Sequence, residues 1–149
     1  MAVSPDTVDH PLSMPTAAEI DDVTAILRAA ELVSDTSRFA YVGLVEPAKA
    51  QLYRDAPVSA HRRFRVLLLD PTTSESLDAV VDVTDRDVVS HRVLDTAVDG
   101  QVPVLDEEFG LVEEVLATDE RWLAALATRD LDVAQVRVAP LSAGVFDYP

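Results

Sequence analysis

Three histidines are the side chains of this sequence best suited to binding a transition metal. His10, His61 and His91 lie far apart in the chain, with no partner beside them at the spacing of metal ligands. The chain has no cysteine, so a thiolate site is excluded. Scattered histidines are usually surface or core polar residues. We therefore expect no metal site within this chain.

A second candidate is the basic run His61-Arg62-Arg63-Phe64-Arg65. It could bind an anion or a nucleic acid, with Phe64 as a stacking residue. It could instead be an edge or first strand whose outward charges discourage pairing between sheets. Because the chain has a net charge of −15, nucleic acid is a poor partner, and we expect these cations to pair with the protein's own acids.

Carboxylates crowd two short runs, Asp106-Glu107-Glu108 and Glu113-Glu114. Paired carboxylates can serve as acid and base when their environments separate their pKa values. Here the glutamates fall mostly off the apolar stripe of the helix on which they lie, so a solvated helix face is the better interpretation. The first run also suits the positive end of the helix dipole.

Nucleophilic and phosphate-binding motifs are missing. Ser142-Ala143-Gly144 lacks the G-x-S-x-G elbow, and the four glycines form no phosphate-binding loop. We expect no catalytic or cofactor-binding residue in this chain.

The elements that would carry these residues fall into two groups. In the first, Thr16 and Glu19 have capping-box spacing, and a helix should run from there to near Val33. Four strands are predicted next by alternating apolar residues, at 39–45, 63–69, 77–83 and 88–94. The segment Pro47 to Tyr53 could be a helical turn or a loop. One helix on about four antiparallel strands is an α+β domain.

The second group begins after a linker at residues 95–103. An apolar stripe predicts one helix, Thr118 is the expected N-cap of a second, and alternation over Gln135–Val138 predicts a strand. The stripe consists of Leu105, Phe109, Val112 and Leu116, and the second helix presents Trp122, Leu123 and Leu126. We therefore expect a flexible tail at residues 1–15, one α+β domain at 16–100 and a partial second one at 101–149.

The sequence in both groups resembles the N-terminal domains of bacterial copper-containing primary-amine oxidases, of the actinobacterial phenylethylamine and tyramine oxidase type. VLDEEF, LATDER, ALATRDLDV and VRVAPLSAGVFDY resemble the first half of the N3 domain. ILRAAELV, RFAYVGLVEPAKA and DRDVVSHRVLDTA resemble the N2 domain before it. The resemblance implies two small cystatin-like α+β units, each a helix with an antiparallel sheet, of which the second is incomplete.

The resemblance also implies a function for the whole enzyme. Family members use copper and topaquinone to convert primary amines, here aromatic monoamines, to aldehyde, ammonia and hydrogen peroxide, and they form homodimers. This sequence has neither the quinone motif T-x-x-N-Y-[DE]-Y nor the H-x-H copper pair. It would therefore be a non-catalytic portion that packs on the catalytic domain. Phe109 and Leu141 match positions that relatives place at the mouth of the substrate funnel, although Phe109 could equally be a core residue.

The sequence also bears on the compartment of the protein and on functions other than that of an oxidase. The N-terminus has no secretory signal and no run is long enough to cross a membrane, so we expect a cytoplasmic protein without a membrane partner. The alternative to the oxidase hypothesis is a free-standing acidic binding or regulatory module without catalysis, which could form a dimer through the strand at Gln135–Val138. An independent small hydrolase has no motif in its favour.

Overall fold

The computed structural model describes residues 10–49 and 61–139. The chain divides into two compact units, Met1–Pro103 and Val104–Pro149. The boundary lies three residues after the one expected from the sequence. Leu141, the predicted turn at 142–144, most of Pro47–Tyr53 and residues 1–9 of the predicted tail lie outside the described residues.

The first unit begins with helix α1, Ala17–Ala29. The predicted capping box is confirmed: the backbone N–H of Glu19 donates to Thr16 Oγ1 over 3.2 Å, and the N–H of Thr16 donates to Glu19 Oε2 over 2.8 Å. The helix is four residues shorter than predicted, because Glu31 adopts a left-handed backbone conformation with φ of 58°. Such a residue ends the α-helical hydrogen-bond pattern.

A four-stranded antiparallel meander follows the helix. Its strands are β1 (Arg38–Leu44), β2 (Arg63–Asp70), β3 (Glu75–Asp82) and β4 (Asp87–Val93), in the order β1-β2-β3-β4. The predicted α+β fold class is thus confirmed. The basic run does not lie on an edge strand, however, since β2 pairs with β1 on one side and β3 on the other. That part of the prediction is wrong.

The core of this unit lies between α1 and one face of the sheet. Val23 and Leu27 on the helix and Phe64, Val66 and Val81 on the strands are fully buried. Phe64 stands opposite Val81, and Val66 stands opposite Ala79, so the apolar face continues across β2 and β3. Alternation along the strands places the other residues of β2 and β3 on the opposite face, which carries charges.

The second unit contains two helices in its described part, α2 (Asp106–Leu116) and α3 (Glu120–Ala127), followed by a 3₁₀ turn at Val133–Gln135. The predicted N-cap Thr118 is wrong: Asp119 is the cap, and its carboxylate accepts the N–H of Trp122 over 2.8 Å. A carboxylate is a better acceptor than a hydroxyl at the positive end of a helix.

The predicted strand at Gln135–Val138 does not form. Asp132 and Gln135 make reciprocal hydrogen bonds that close the 3₁₀ turn, and residues 136–139 have no regular secondary structure. Val136 is extended, but among residues 104–139 no second strand offers it a ladder partner. A lone strand cannot satisfy its backbone groups, and this explains the difference.

Candidate functional site

The basic run folds into a polar cluster at the start of β2. Its most buried member is Arg62, which is 9% exposed and points toward the core side. The guanidinium donates to Glu19 Oε1 over 2.7 Å, to the carbonyl of Pro11 over 2.8 Å and to the carbonyl of Ser13 over 2.7 Å. Its carbon lies 5.5 Å from the centre of the Phe64 ring, within the range of a cation–π contact.

Arg62 therefore joins three parts of the chain that are distant in sequence. These parts are the start of β2, the capping box of α1 and the segment that precedes this helix. Burial raises the pKa of Glu19, but hydrogen bonds from Arg62 and Thr16 outweigh it and hold this pKa below its ordinary value. The pair is charged on both sides and serves the architecture of the unit.

The neighbouring residues His61 and Arg63 turn to the other side, toward Asp82 at the end of β3. Arg63 Nε donates to Asp82 Oδ2 over 3.0 Å, and His61 Nδ1 lies 3.0 Å from the same oxygen. Asp85, in the turn between β3 and β4, brings its Oδ2 to 3.1 Å from His61 Nδ1. The side chain of Asp82 is only 2% exposed, whereas those of His61 and Asp85 are 46% and 59% exposed.

Asp82 is an ionised carboxylate held by several donors. Burial raises its pKa. Hydrogen bonds from Arg63 and from the backbone N–H groups of Asp85 and Thr84 lower the pKa by more than burial raises it, so the net shift is downward. The antiparallel register places Arg63 opposite Asp82, which brings His61 and the β3–β4 turn to the same end of the hairpin. The expectation that the cations of the basic run pair with the chain's own acidic residues is confirmed.

A second group of charges lies on the sheet face that α1 does not cover. Arg65 on β2 makes a two-pronged contact with Asp78 on β3, with distances of 3.0 and 2.8 Å. Asp78 also lies 3.8 Å from Arg92 on β4, which pairs with Asp99 over 2.8 Å. The hydrogen bonds that Arg65 donates to Asp78 raise the pKa of Arg65. Each of these four charged groups therefore has a partner of opposite sign.

The described part of the second unit leaves most of its large apolar side chains exposed or half-buried. Among residues 104–139, Leu126 is the one hydrophobic side chain that is buried. Those more than one-third exposed are Val104, Phe109, Leu111, Val115, Leu123, Leu131 and Val133. A groove of about 340 Å³ lies between the helices and residues 133–138, and Trp122, Glu113 and Arg137 are among the residues that line it.

The sequence-predicted site residues have different outcomes. Phe109 lies on α2 with 42% of its surface exposed, and therefore is not a core residue of the described part. Leu141 lies outside the described residues, and the funnel role of both stays a prediction. Glu113 and Glu114 are exposed, as expected for a solvated helix face, while Glu108 accepts the N–H of Leu105 over 2.6 Å at the start of α2.

Sequence reasoning missed the meeting of His61 with Asp82 and Asp85. His61 is separated from Asp82 by 21 positions and from Asp85 by 24, so no local spacing links the histidine to the two carboxylates. The signal that could have found them is the hairpin register, because Arg63 opposite Asp82 fixes where His61 lies. His10 and His91 do not join the group. His10 Nδ1 accepts the N–H of Leu12 over 3.1 Å, and His91 on β4 stands opposite Ala79 on β3.

The first unit is thus a small α+β domain in which one helix covers a four-stranded meander. Residues 16–91 match the family described as the AGAO-like N2 domain. That range runs from the N-cap of α1 into β4. The chain belongs to the copper amine oxidase family through this N2 domain.

Three relatives show the extent of the similarity. A histamine oxidase of Arthrobacter globiformis is 48% identical over 139 residues, which are 93% of this chain and 20% of the relative. A primary amine oxidase of Arthrobacter sp. (strain P1) is 34% identical over 140 residues, 93% of this chain and 21% of the relative. One from Klebsiella aerogenes is 31% identical over 143 residues, 93% of this chain and 18% of the relative. The chain therefore spans about a fifth of the length of these enzymes.

No helix in the described ranges 10–49 and 61–139 is long and apolar enough to cross a membrane.

Proposed function

We propose that this chain is the N-terminal, non-catalytic portion of a copper- and topaquinone-dependent primary-amine oxidase, acting in the cytoplasm as part of a homodimer. The observation that carries the proposal is the extent of the similarity. It covers 93% of this chain but only 20% of the histamine oxidase. Copper, the quinone and the reacting amine would be held by the remaining part of such an enzyme, so the role of this chain is structural.

The second unit supports a packing role. A segment of 36 described residues that buries one apolar side chain cannot gain much stability from its own core. Many exposed apolar side chains in one small unit are the usual mark of a surface that another part of the protein covers. The occupant under this proposal is the catalytic domain of the same polypeptide, and the second unit would be the first part of an N3-like domain.

Phe109 and Leu141 are proposed to line the entry to the amine site. The exposure of Phe109 supports this role, because a buried side chain could not reach a substrate. An aromatic ring at such an entry would favour aromatic monoamines through its apolar face.

A chimera tests the proposal. The segment of the Arthrobacter globiformis histamine oxidase that matches this chain is replaced by the chain itself, and hydrogen peroxide release with histamine is followed. The parent enzyme is the positive control, and the same chimera with a copper histidine of the recipient replaced is the negative one. We expect an active enzyme with kcat close to that of the parent, because no group in this chain touches the reacting atoms.

A chimera that is soluble and copper-loaded but inactive would contradict the proposal. If the chimera does not fold while the 149-residue chain alone is stable and monodisperse, the alternative is favoured: an acidic binding module without catalysis.

A further inference from the structure

We propose that His61, Asp82 and Asp85 bind one divalent transition-metal ion of the zinc class. The proposal is independent of the oxidase function, since the three residues lie in the first unit and none belongs to the copper-binding pattern of the family. Each residue offers one ligand atom, and the three atoms lie within 4.8 Å of one another.

The distances fit a tetrahedral site. His61 Nδ1 lies 3.0 Å from Asp82 Oδ2 and 3.1 Å from Asp85 Oδ2. Zinc bonds to histidine nitrogen and carboxylate oxygen are about 2.0–2.1 Å long, so two ligand atoms of a tetrahedral site lie about 3.3 Å apart. The two contacts of His61 are therefore within a few tenths of an ångström of this separation, and the two carboxylate oxygens lie within 4.8 Å of each other.

The donor set selects the class of ion. One neutral imidazole nitrogen and two carboxylate oxygens suit zinc and its neighbours, whereas magnesium and calcium require a larger number of oxygen ligands. With Arg63 paired to Asp82, the two carboxylates leave one net negative charge beside the ion, and the net charge of −15 of the chain favours a bound cation. Because His61 and Asp85 are 46% and 59% exposed, water can occupy the fourth position.

The cluster also has the outer contacts that orient metal ligands. Asp82 Oδ1 accepts the backbone N–H groups of Thr84 over 3.0 Å and Asp85 over 3.2 Å, which fixes the plane of the carboxylate. Arg63 donates to Oδ2 over 3.0 Å, and His61 Nδ1 lies 3.0 Å from the same oxygen. Ligating carboxylates are commonly held by such hydrogen bonds.

Metal binding replaces a proton at one atom. In the absence of metal, a proton on His61 Nδ1 can bridge the two carboxylates. When the ion binds, the Nδ1 lone pair forms the bond to the metal, and the proton of the neutral imidazole moves to Nε2. The bound ion would tie the residue that precedes β2 to the end of β3 and the following turn, and so it would stabilise this end of the sheet.

The test is a titration of the full 149-residue chain with ZnCl₂ by isothermal calorimetry, with MgCl₂ as the control ion. We expect one zinc ion per chain, a rise in Tm with zinc and none with magnesium. CoCl₂ gives a second readout, because tetrahedral cobalt absorbs visible light strongly.

Two variants and a matched control locate the site. His61→Ala and Asp85→Asn each remove one exposed ligand, and we expect each to weaken zinc binding by at least about tenfold, the lower end of the effect of outer-shell changes. His91→Ala removes another exposed histidine of the first unit and should leave binding unchanged. Circular dichroism without metal confirms that the variants fold. Asp82 is left intact because its replacement would also release Arg63.

The proposal is overturned if the folded chain binds no zinc. It is overturned equally if His61→Ala binds zinc as tightly as the unaltered chain. In either case the cluster is an ion-pair network only.

Discussion

Arg62 shows how much one side chain can contribute when it is buried with a full set of acceptors. Its partners are a carboxylate that also caps α1 and two backbone carbonyls of the preceding segment. Breaking a buried ion pair by removing one partner is costly because the other partner stays buried and unpaired. Arg62 of the basic run thus stabilises the fold from within, while His61 and Arg63 pair with carboxylates on the opposite side of the sheet.

Replacing Arg62 by methionine should lower the free energy of unfolding by about 3 kcal/mol, because Glu19 and two carbonyls lose their donor. Urea denaturation measures the change. Arg65→Met is the matched control: its side chain is 52% exposed, so the loss should stay within about 1 kcal/mol. Equal losses in the two variants would contradict the hub role of Arg62.

Asp70 is a second residue whose hydrogen bonds have a testable effect, in this case on its pKa. Its carboxylate accepts the N–H of Thr72 over 2.9 Å and the hydroxyls of Ser34 and Thr36 over 2.9 and 3.0 Å. These hydrogen bonds, the one from the Thr72 N–H first, lower the pKa of Asp70 from 3.8 to about 2. They connect the turn after β2 to the loop before β1.

Because the pKa of Asp70 is lower in the folded protein than in the unfolded one, its contribution to stability is present above pH 3.8 and is lost as the pH falls through about 2. Unfolding experiments across this range should therefore show a decline that Asp70→Asn lacks. In an NMR titration, the double variant Ser34→Ala/Thr36→Ala should raise the pKa of Asp70 toward its ordinary value. An unchanged pKa would show that the hydroxyls do not matter.

At the scale of the element, the start of α3 tests which residue caps the helix. Asp119 accepts the Trp122 N–H, while Thr118 donates its hydroxyl to the carbonyl of Val115 over 3.2 Å. Asp119→Ala should therefore destabilise the helix by about 1 kcal/mol, whereas Thr118→Ala should cost less than about 0.5 kcal/mol. Amide hydrogen exchange at Trp122 measures both. A larger effect of Thr118→Ala would restore the cap expected from sequence.

The elements that the sequence predicts well are those whose signals are local. Thr16 with Glu19 and the alternation around Phe64 and Val81 depend on neighbours a few residues away, and the structure agrees with them. The strand at Gln135–Val138 had the right alternation but depends on a partner strand, and alternation alone cannot supply one. The local hydrogen bonds between Asp132 and Gln135 therefore determine the conformation there.

The cluster of His61, Asp82 and Asp85 could not be predicted from the sequence for the same reason, since it depends on strand pairing. The side chains of His61, Asp82 and Asp85 meet only because β2 and β3 pair in one particular register. A shift by a single residue would send Arg63 and His61 to the core face and Arg62 away from it. Contacts of this kind are properties of the folded sheet and have no signature in residue spacing.

At the scale of the whole molecule, Phe109 provides a prediction for the oxidase role. In the chimera with the Arthrobacter globiformis enzyme, Phe109→Ala should raise KM for aromatic amines about fivefold with little change in kcat. The loss of one apolar contact in a pocket costs roughly 1 kcal/mol or more. Leu111→Ala is the matched control, since Leu111 is 57% exposed and lies about 200° around the same helix.

A rise in KM for both variants would indicate a general loss of packing. No change for Phe109→Ala would remove this residue from the substrate entry and leave it as a contact of the second unit with its surroundings.

The central claim is that this chain is one part of a much larger oxidase. It is tested most directly by isolating the native polypeptide that contains this sequence and measuring its mass and its quinone content by redox-cycling stain. Because 139 residues make up 20% of the histamine oxidase, the claim predicts a product of about 700 residues that stains for quinone. A quinone-free product of 16.2 kDa, the mass of this chain alone, would contradict it.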